Sequence, residues 1–196
     1  LLKEYNKVLL PSLWCEKSMN KFFPKVKTGV WPVAIYSPDI KNNNKTDCLV
    51  YFKSRPESDL LSVLNYLDNG NITYTGLEYG RYTQDEFRES LSDVKYCIII
   101  DNTESQGIAI QEMMASNKPL LVWNQTVWNH MGDDYIVDGT SIPYWSTDCG
   151  EKFDRFEDFD NVFNLFLSKL DKYNPKKYID SELSPKKSID TLLKLF

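Results

Sequence analysis

The stretch YCIIIDNTESQGIAIQEMMASNKPLLVWN, which runs from Tyr96 to Asn124, decides the fold of this chain. Its first apolar run, Cys97 to Ile100, predicts a strand that is buried on both faces, as the strands of parallel sheets are. A polar loop follows, and the spacing of the next apolar residues predicts a helix that ends near Ser116 or Asn117. A second apolar run, Leu120 to Trp123, predicts another strand. In an open sheet built from such units, the loop lies at the carboxyl ends of the strands, where ligands bind.

Two glutamates stand at either side of the predicted helix start. Glu104 and Glu112 lie eight residues apart, and eight helical residues span about 12 Å and turn two side chains only about 80° apart. Both carboxylates can therefore face one cleft. Carboxylates accept hydrogen bonds from paired sugar hydroxyls, and free amides at a helix N-terminus, here around Gln106 to Ile108, suit a phosphate. Two unlinked surface glutamates are the alternative interpretation, because a pair at this spacing often arises by chance.

The string ESQGIAIQE within this stretch resembles the E-x7-E signature of retaining glycosyltransferases with the GT-B fold, in particular the family-four type. The resemblance runs from Val8 to the end of the chain, and its specific part is Tyr96 to Trp123. It implies a Rossmann-like, doubly wound α/β domain with a parallel sheet, the C-terminal half of a GT-B fold. The alternation of strand and helix patterns along the chain predicts the same layered sheet.

The resemblance also implies a function. The domain would bind a nucleoside diphosphate sugar and take part in transferring a hexose, with retention at the anomeric carbon, to a carbohydrate, lipid or protein acceptor. Two alternatives are another GT-B sugar-nucleotide enzyme, such as a non-hydrolysing epimerase, and a non-catalytic α/β interaction module.

Site residues follow from the resemblance, position by position. Glu104 would hold the transferred sugar and Glu112 the ribose hydroxyls, while Lys53 and Arg55 would stabilise the departing diphosphate. The family usually has Gly-Arg and a later Lys here, and this chain has neither that Gly nor that Lys. The two cations are therefore assigned by their place after the first predicted strand, Cys48 to Phe52, and solvated strand-end charges are the alternative. The residues assigned to donor binding around the helix start are Ser105, Gln106, Gly107 and Ile108.

A second predicted strand, Ile72 to Tyr74, leads into the loop where the family usually receives the nucleotide base. Gly80, Arg81 and Tyr82 are the candidates, through backbone groups and ring stacking; a plain aromatic anchor of the loop is the alternative. A capping box of Thr83 and Glu86 predicts that a helix begins directly afterwards.

The two ends of the chain carry further expectations. Residues 1–40 resemble the tail of an N-terminal domain and its linker, and residues 41–196 the nucleotide-sugar-binding α/β domain. The start at Leu1, without a methionine, leads us to expect that an upstream N-terminal domain precedes this sequence. Residues 142–144 are expected to form the last short strand. A final helix is predicted from Ser184 and Pro185 to Phe196, with nothing from an N-terminal domain to cover.

Composition excludes several classes of function. A net charge of −5 and a pI near 5.0 argue against nucleic-acid binding, which rests on clustered Lys and Arg. Apolar runs fall well short of the roughly 20 residues of a transmembrane segment. The cysteines form no C-x-x-C pair and His130 is the only histidine, so neither zinc nor a Ser-His-Asp set is expected. We expect metal-independent transfer without a cofactor, in the cytoplasm or at a membrane surface, and Asp133 and Asp134 to be solvent-exposed.

Overall fold

The apolar runs that predict strands form one parallel sheet. The computed structural model describes residues 7–38, 40–129 and 136–195. In chain order, its strands are β1 (Val8–Leu10), β2 (Thr28–Val30), β3 (Thr46–Lys53), β4 (Tyr74–Glu78), β5 (Val94–Asp101), β6 (Leu120–Trp123), β7 (Val127–Trp128), β8 (Val137–Asp138) and β9 (Gly150–Phe153). Five of them make the central sheet, in the order β4-β3-β5-β6-β9, and all four of its pairings are parallel.

Helices cover both faces of this sheet. They are α1 (Leu13–Phe22), α2 (Glu57–Asn69), α3 (Gln84–Asp93), α4 (Ile108–Ala115), α5 (Phe159–Ser168), α6 (Pro175–Glu182) and α7 (Pro185–Leu195), with 3₁₀ turns at Phe156–Asp158 and Leu170–Lys172. Strand side chains alternate between the faces. Leu49 and Ile99 pack with α3, α4 and α6, while Val50 and Ile98 pack with α2 and α5. The predicted doubly wound α/β sheet is confirmed.

A separate small unit precedes the sheet. Strands β1 and β2 pair in parallel, and α1 connects them. The last helix, α7, packs against this unit: the Trp31 indole donates to Ser188 O at 3.1 Å, and the Ser188 hydroxyl donates to Pro32 O at 3.1 Å. Helix α7 therefore covers residues 29–32 of this chain, and the expectation about an N-terminal domain stays a prediction. The proposed domain boundary at residue 40 stays a prediction.

Two predicted strands are misplaced. The second strand lies at Tyr74–Glu78, a few residues later than expected, because it is an edge strand that pairs only with β3 and has a weak apolar pattern. Residues 142–144 form no strand. The last strand is β9, whose sequence GEKF carries no apolar run. It begins at Gly150 with φ +143, where a Cβ would lie 1.8 Å from Leu120 O, so this position requires glycine.

The helix predictions hold at most positions. The capping box is confirmed, with the Glu86 amide donating to the Thr83 hydroxyl at 3.2 Å and the Thr83 amide donating to the Glu86 carboxylate at 2.7 Å. Helix α6, which follows the cap residue Asn174, was not predicted. No helix in the described ranges is long and apolar enough to cross a membrane. His130, Asp133 and Asp134 lie outside the described residues.

Candidate functional site

The site lies where β3 and β5 end and α4 begins. Lys53 and Asp101 are paired in the β3–β5 register, so their side chains leave the same face of the sheet. Glu104, in the loop after β5, is only 8% exposed. Its carboxylate accepts a hydrogen bond from the Lys53 ammonium and forms an ion pair with it. The structure thus joins two of the three predicted catalytic residues.

The backbone of Glu104 is fixed on both sides. Its amide donates to Thr140 O at 2.9 Å, and its carbonyl accepts the Trp14 indole N–H at 2.7 Å. These partners come from α1 and from the segment after β8, which are far apart in the sequence. Together with Lys53 of β3, these two contacts fix the position of Glu104.

Helix α4 presents uncapped amides next to this carboxylate. Its N-cap is Gly107, with φ +77, and no side chain of the described residues caps the helix. Ser105 is exposed, and the Ile108 side chain is 48% exposed. Because the first amides of a helix have no partner within it, this end can bind an anion such as a phosphate.

Gln106 was assigned to the site through its backbone amide, and its side chain has a separate, structural set of contacts. Its side chain is buried and forms hydrogen bonds with both backbone groups of Val33: the Val33 amide donates to Oε1 at 2.9 Å, and Nε2 donates to Val33 O at 2.8 Å. Nε2 also donates to Gln111 Oε1 at 3.0 Å. The Gln106 side chain therefore connects the start of α4 to the N-terminal segment, and its backbone carbonyl accepts the Gln111 side-chain amide at 2.9 Å.

Glu112 lies on the second turn of α4 and is partly exposed. Its charge acts on Tyr82: burial raises the pKa of the Tyr82 hydroxyl, and the neighbouring charges of Tyr79 and Glu112 add to that shift. The Tyr82 ring is stacked on Phe87, with 5.6 Å between centroids. Glu112 and Tyr82 thus share the side of the site nearer to the end of β4.

The other two predicted residues of the β4–α3 loop, Gly80 and Arg81, face solvent. Gly80 has φ +81, and a Cβ there would meet nothing within 4 Å. Arg81 pairs with Glu78 at 2.9 Å, and its side chain is 76% exposed. Tyr79, which was not predicted, reaches the site, since the Lys53 ammonium lies 4.4 Å from its ring centroid.

Arg55 is held away from Glu104. Its side chain is only 6% exposed and pairs with Asp59 at 2.7 Å, and its guanidinium lies 4.5 Å from the Trp123 ring centroid. Trp123 belongs to the core under α2 and α5, on the opposite face from Tyr51 and Ile99. The structure therefore does not bring the predicted Arg55 together with Lys53 and Glu104.

Asp101 is a member of the site that the sequence analysis did not select. Burial, followed by the neighbouring Glu104 carboxylate, raises its pKa to about 9. Burial lowers the pKa of Lys53, but the hydrogen bond to Glu104 helps to raise it above its ordinary value. Within the described part of the chain, no group of three or more His, Cys, Asp or Glu side chains could hold a metal ion.

Several solved structures resemble this fold. No family model and no curated protein matches the sequence. A variant of S. aureus TarM in complex with fondaparinux, alpha-GlcNAc-glycerol and UDP is similar over 99% of this chain, with a TM-score of 0.64 and 13% identity. Sucrose-phosphate synthase from Thermosynechococcus elongatus has a TM-score of 0.62 and 10% identity over 99% of this chain. The lipopolysaccharide outer core galactosyltransferase WaaB has a TM-score of 0.63 and 11% identity over 98% of this chain. The fold is that of the GT-B glycosyltransferases.

The chain spans only part of these GT-B proteins. It covers 44% of the TarM variant, 58% of the synthase and 62% of WaaB, and it corresponds to their C-terminal half. The predicted fold, the C-terminal half of a GT-B fold, is confirmed. At these identities the likeness concerns the fold, so the roles of individual residues stay predictions.

Proposed function

We propose that this chain is the donor-binding domain of a glycosyltransferase that takes a sugar from a nucleoside diphosphate sugar. One observation carries the proposal: the Lys53–Glu104 pair lies beside the uncapped N-terminus of α4 at the carboxyl end of a GT-B sheet. In this place a carboxylate can accept hydrogen bonds from the sugar, while an ammonium and helix amides face the phosphates.

On this proposal each group has one task. Glu104 binds hydroxyls of the transferred sugar, Glu112 binds the ribose, and the amides from Gly107 onward bind the diphosphate. Lys53 leaves Glu104 for the leaving phosphate when the donor is present. Because negative charge develops on the leaving diphosphate, fixed positive charge aimed at it lowers the barrier without a metal ion. Tyr82 or Tyr79 receives the base.

The proposal departs from the sequence-based assignment at Arg55 and at the base, which Tyr82 or Tyr79 receives in place of Gly80 and Arg81. We leave Arg55 outside the diphosphate site because Asp59 and Trp123 already hold its guanidinium. We limit Gln106 to backbone contacts because Val33 occupies its side chain. Retention of configuration and a hexose donor come from the resemblance, the cytoplasmic location comes from the composition, and all three belong to the same proposal.

Calorimetric titration of this chain with UDP, GDP and their sugar conjugates tests donor binding. UDP comes first, because the structure of the TarM variant contains it. The titration is done at low salt with a chelator present, so that saturable binding supports a site without metal. Glu112→Gln should weaken binding of the nucleotide, while Glu157→Gln, at an exposed carboxylate beside α5, should not.

Absence of saturable binding to every nucleotide, in a cooperatively folded sample, would argue against donor binding by this chain alone. Equal affinity of wild type and Glu112→Gln would contradict the ribose assignment specifically. Where binding is found, transfer to methanol gives a stable glycoside whose anomeric configuration, determined by NMR, tests retention.

A further inference from the structure

Asp101 is a buried carboxyl group that has one oxygen without a partner. The residue is 1% exposed at the end of β5. Its Oδ1 accepts the Asn102 amide at 2.7 Å, whereas Oδ2 is buried and has no hydrogen-bond partner among the described residues. The Ser141 hydroxyl nearby donates to the Asp101 backbone carbonyl at 3.1 Å. A buried carboxylate with an unpaired oxygen is costly, and a carboxylic acid in the same place is far less so.

The titratable groups that face Asp101 come from two parts of the chain. Strand β3 contributes Lys53, its register partner, and Tyr51, whose pKa is raised chiefly by burial and further by Asp101 and Glu104. The loop after β5 contributes Glu104. One ammonium therefore faces two carboxyl groups in a space that is largely closed to water.

Charge balance decides which carboxyl group is protonated. If both were ionised, the group would hold two negative charges against one positive charge, and neighbouring buried carboxylates resist ionising together. Lys53 contacts Glu104, so Glu104 is the stabilised anion. Asp101 is the more deeply buried of the two, and its raised pKa has the same cause.

We propose that Asp101 is a positioning residue that keeps a proton at neutral pH and donates it in a hydrogen bond to Glu104. The oxygen without a partner, Oδ2, then becomes a donor, and Glu104 is held from the buried side by Asp101 and from the open side by Lys53. When Lys53 moves to the donor diphosphate, Asp101 still fixes the Glu104 carboxylate; this last step rests on the proposed function.

The pH dependence of unfolding tests the proposal without any nucleotide. The ordinary pKa of an Asp carboxyl is near 3.8, and that of folded Asp101 is about 9. Between these values the native state binds one proton more than the unfolded state, so stability falls as pH rises. One such proton changes the folding equilibrium constant about tenfold per pH unit.

Urea unfolding of wild type and Asp101→Asn should therefore be compared from pH 5 to pH 8. Asparagine keeps an N–H donor for Glu104 but cannot titrate. The folding equilibrium constant of wild type should therefore fall about tenfold more per pH unit than that of the variant. The two proteins differ only at residue 101, so the contributions of groups that titrate alike in both cancel in the comparison. Identical slopes would overturn the proposal, whatever the nucleotide titrations show.

A second measurement serves if Asp101→Asn does not fold. The side-chain carboxyl carbon of Asp101 in the wild-type protein, followed by ¹³C NMR, should titrate with a midpoint above pH 7. A midpoint below pH 7 would overturn the proposal. In Glu104→Gln the midpoint should fall, because the neighbouring charge is gone; an unchanged midpoint would show that Asp101 is not paired with Glu104.

Discussion

Lys53 pairs with Glu104 in the structure and contacts the leaving diphosphate in the proposed reaction. It lies between the Glu104 carboxylate and the ring of Tyr79. A charged hydrogen bond contributes about 1.5–3 kcal/mol, which corresponds to roughly 10- to 150-fold in affinity.

Lys53→Met should therefore weaken binding of a nucleoside diphosphate by roughly 10- to 150-fold in Kd. Lys95→Met is the matched control, because Lys95 lies at the other end of β5 and pairs with Asp47. Calorimetry on both variants gives the comparison. A Kd equal to that of wild type in Lys53→Met would remove Lys53 from the diphosphate site.

Arg55 should act on stability, since its guanidinium is buried between Asp59 and Trp123. Arg55→Met removes the ion pair and the contact with the ring, and we expect a loss of about 2 kcal/mol in the free energy of unfolding. Urea denaturation measures it, with the exposed Arg88→Met as control. A loss as small as that of the control would show that this pair is not structural.

At the scale of the elements, α4 depends on an N-cap that only glycine fills easily. Gly107 has φ +77, and a Cβ there would meet Glu104 atoms at 3.6 and 3.7 Å, which are ordinary contacts. Gly107→Ala should thus cost about 1–2 kcal/mol, from the left-handed backbone alone. The control is Gly76→Ala, where a Cβ meets nothing within 4 Å. Thermal unfolding of both variants checks this, and equal midpoints would contradict it.

The elements also show what can be read from a sequence. Strands β5 and β6 and helix α4 were predicted because their apolar spacing is distinct and glycine and proline bound them. Strand β9 was missed because its four residues include Glu151 and Lys152; it is a strand because it pairs with β6, which no local pattern reveals.

The same limit applies to the site. Glu104 was predicted from its spacing to Glu112, and Lys53 from its position directly after the first predicted strand. The contributions of Asp101 and Trp14 depend on the β3–β5 register and on a hydrogen bond between residues 90 positions apart. Arg55 was misplaced for a related reason: which face a side chain takes after a strand depends on the turn, here at Ser54 with φ +53.

At the scale of the whole molecule, the N-terminal unit and the sheet are joined through Gln106. The Val33 amide donates to Gln106 Oε1 at 2.9 Å, so its hydrogen exchange reports on this contact. Gln106→Ala should speed exchange of the Val33 amide by about tenfold or more, because a typical hydrogen bond contributes about 0.5–1.5 kcal/mol and this residue makes several.

Exchange measured by NMR, residue by residue, provides the check, and Gln84→Ala on the exposed start of α3 is the control. If the Val33 amide exchanged at the same rate in wild type and in Gln106→Ala, the contact in solution would not be the one described.

The indole of Trp14 donates to the carbonyl of Glu104, just before Ser105, and the side chain of Gln106, just after it, donates to the carbonyl of Val33. Both contacts connect residues 7–38 to the start of α4. The positions of α1 and of Val33 are therefore linked to the positions of Glu104 and of the start of α4. If the proposed ligand binds more tightly when residues 7–38 are held in this position, linkage requires that the bound ligand stabilises the same position by an equal free energy.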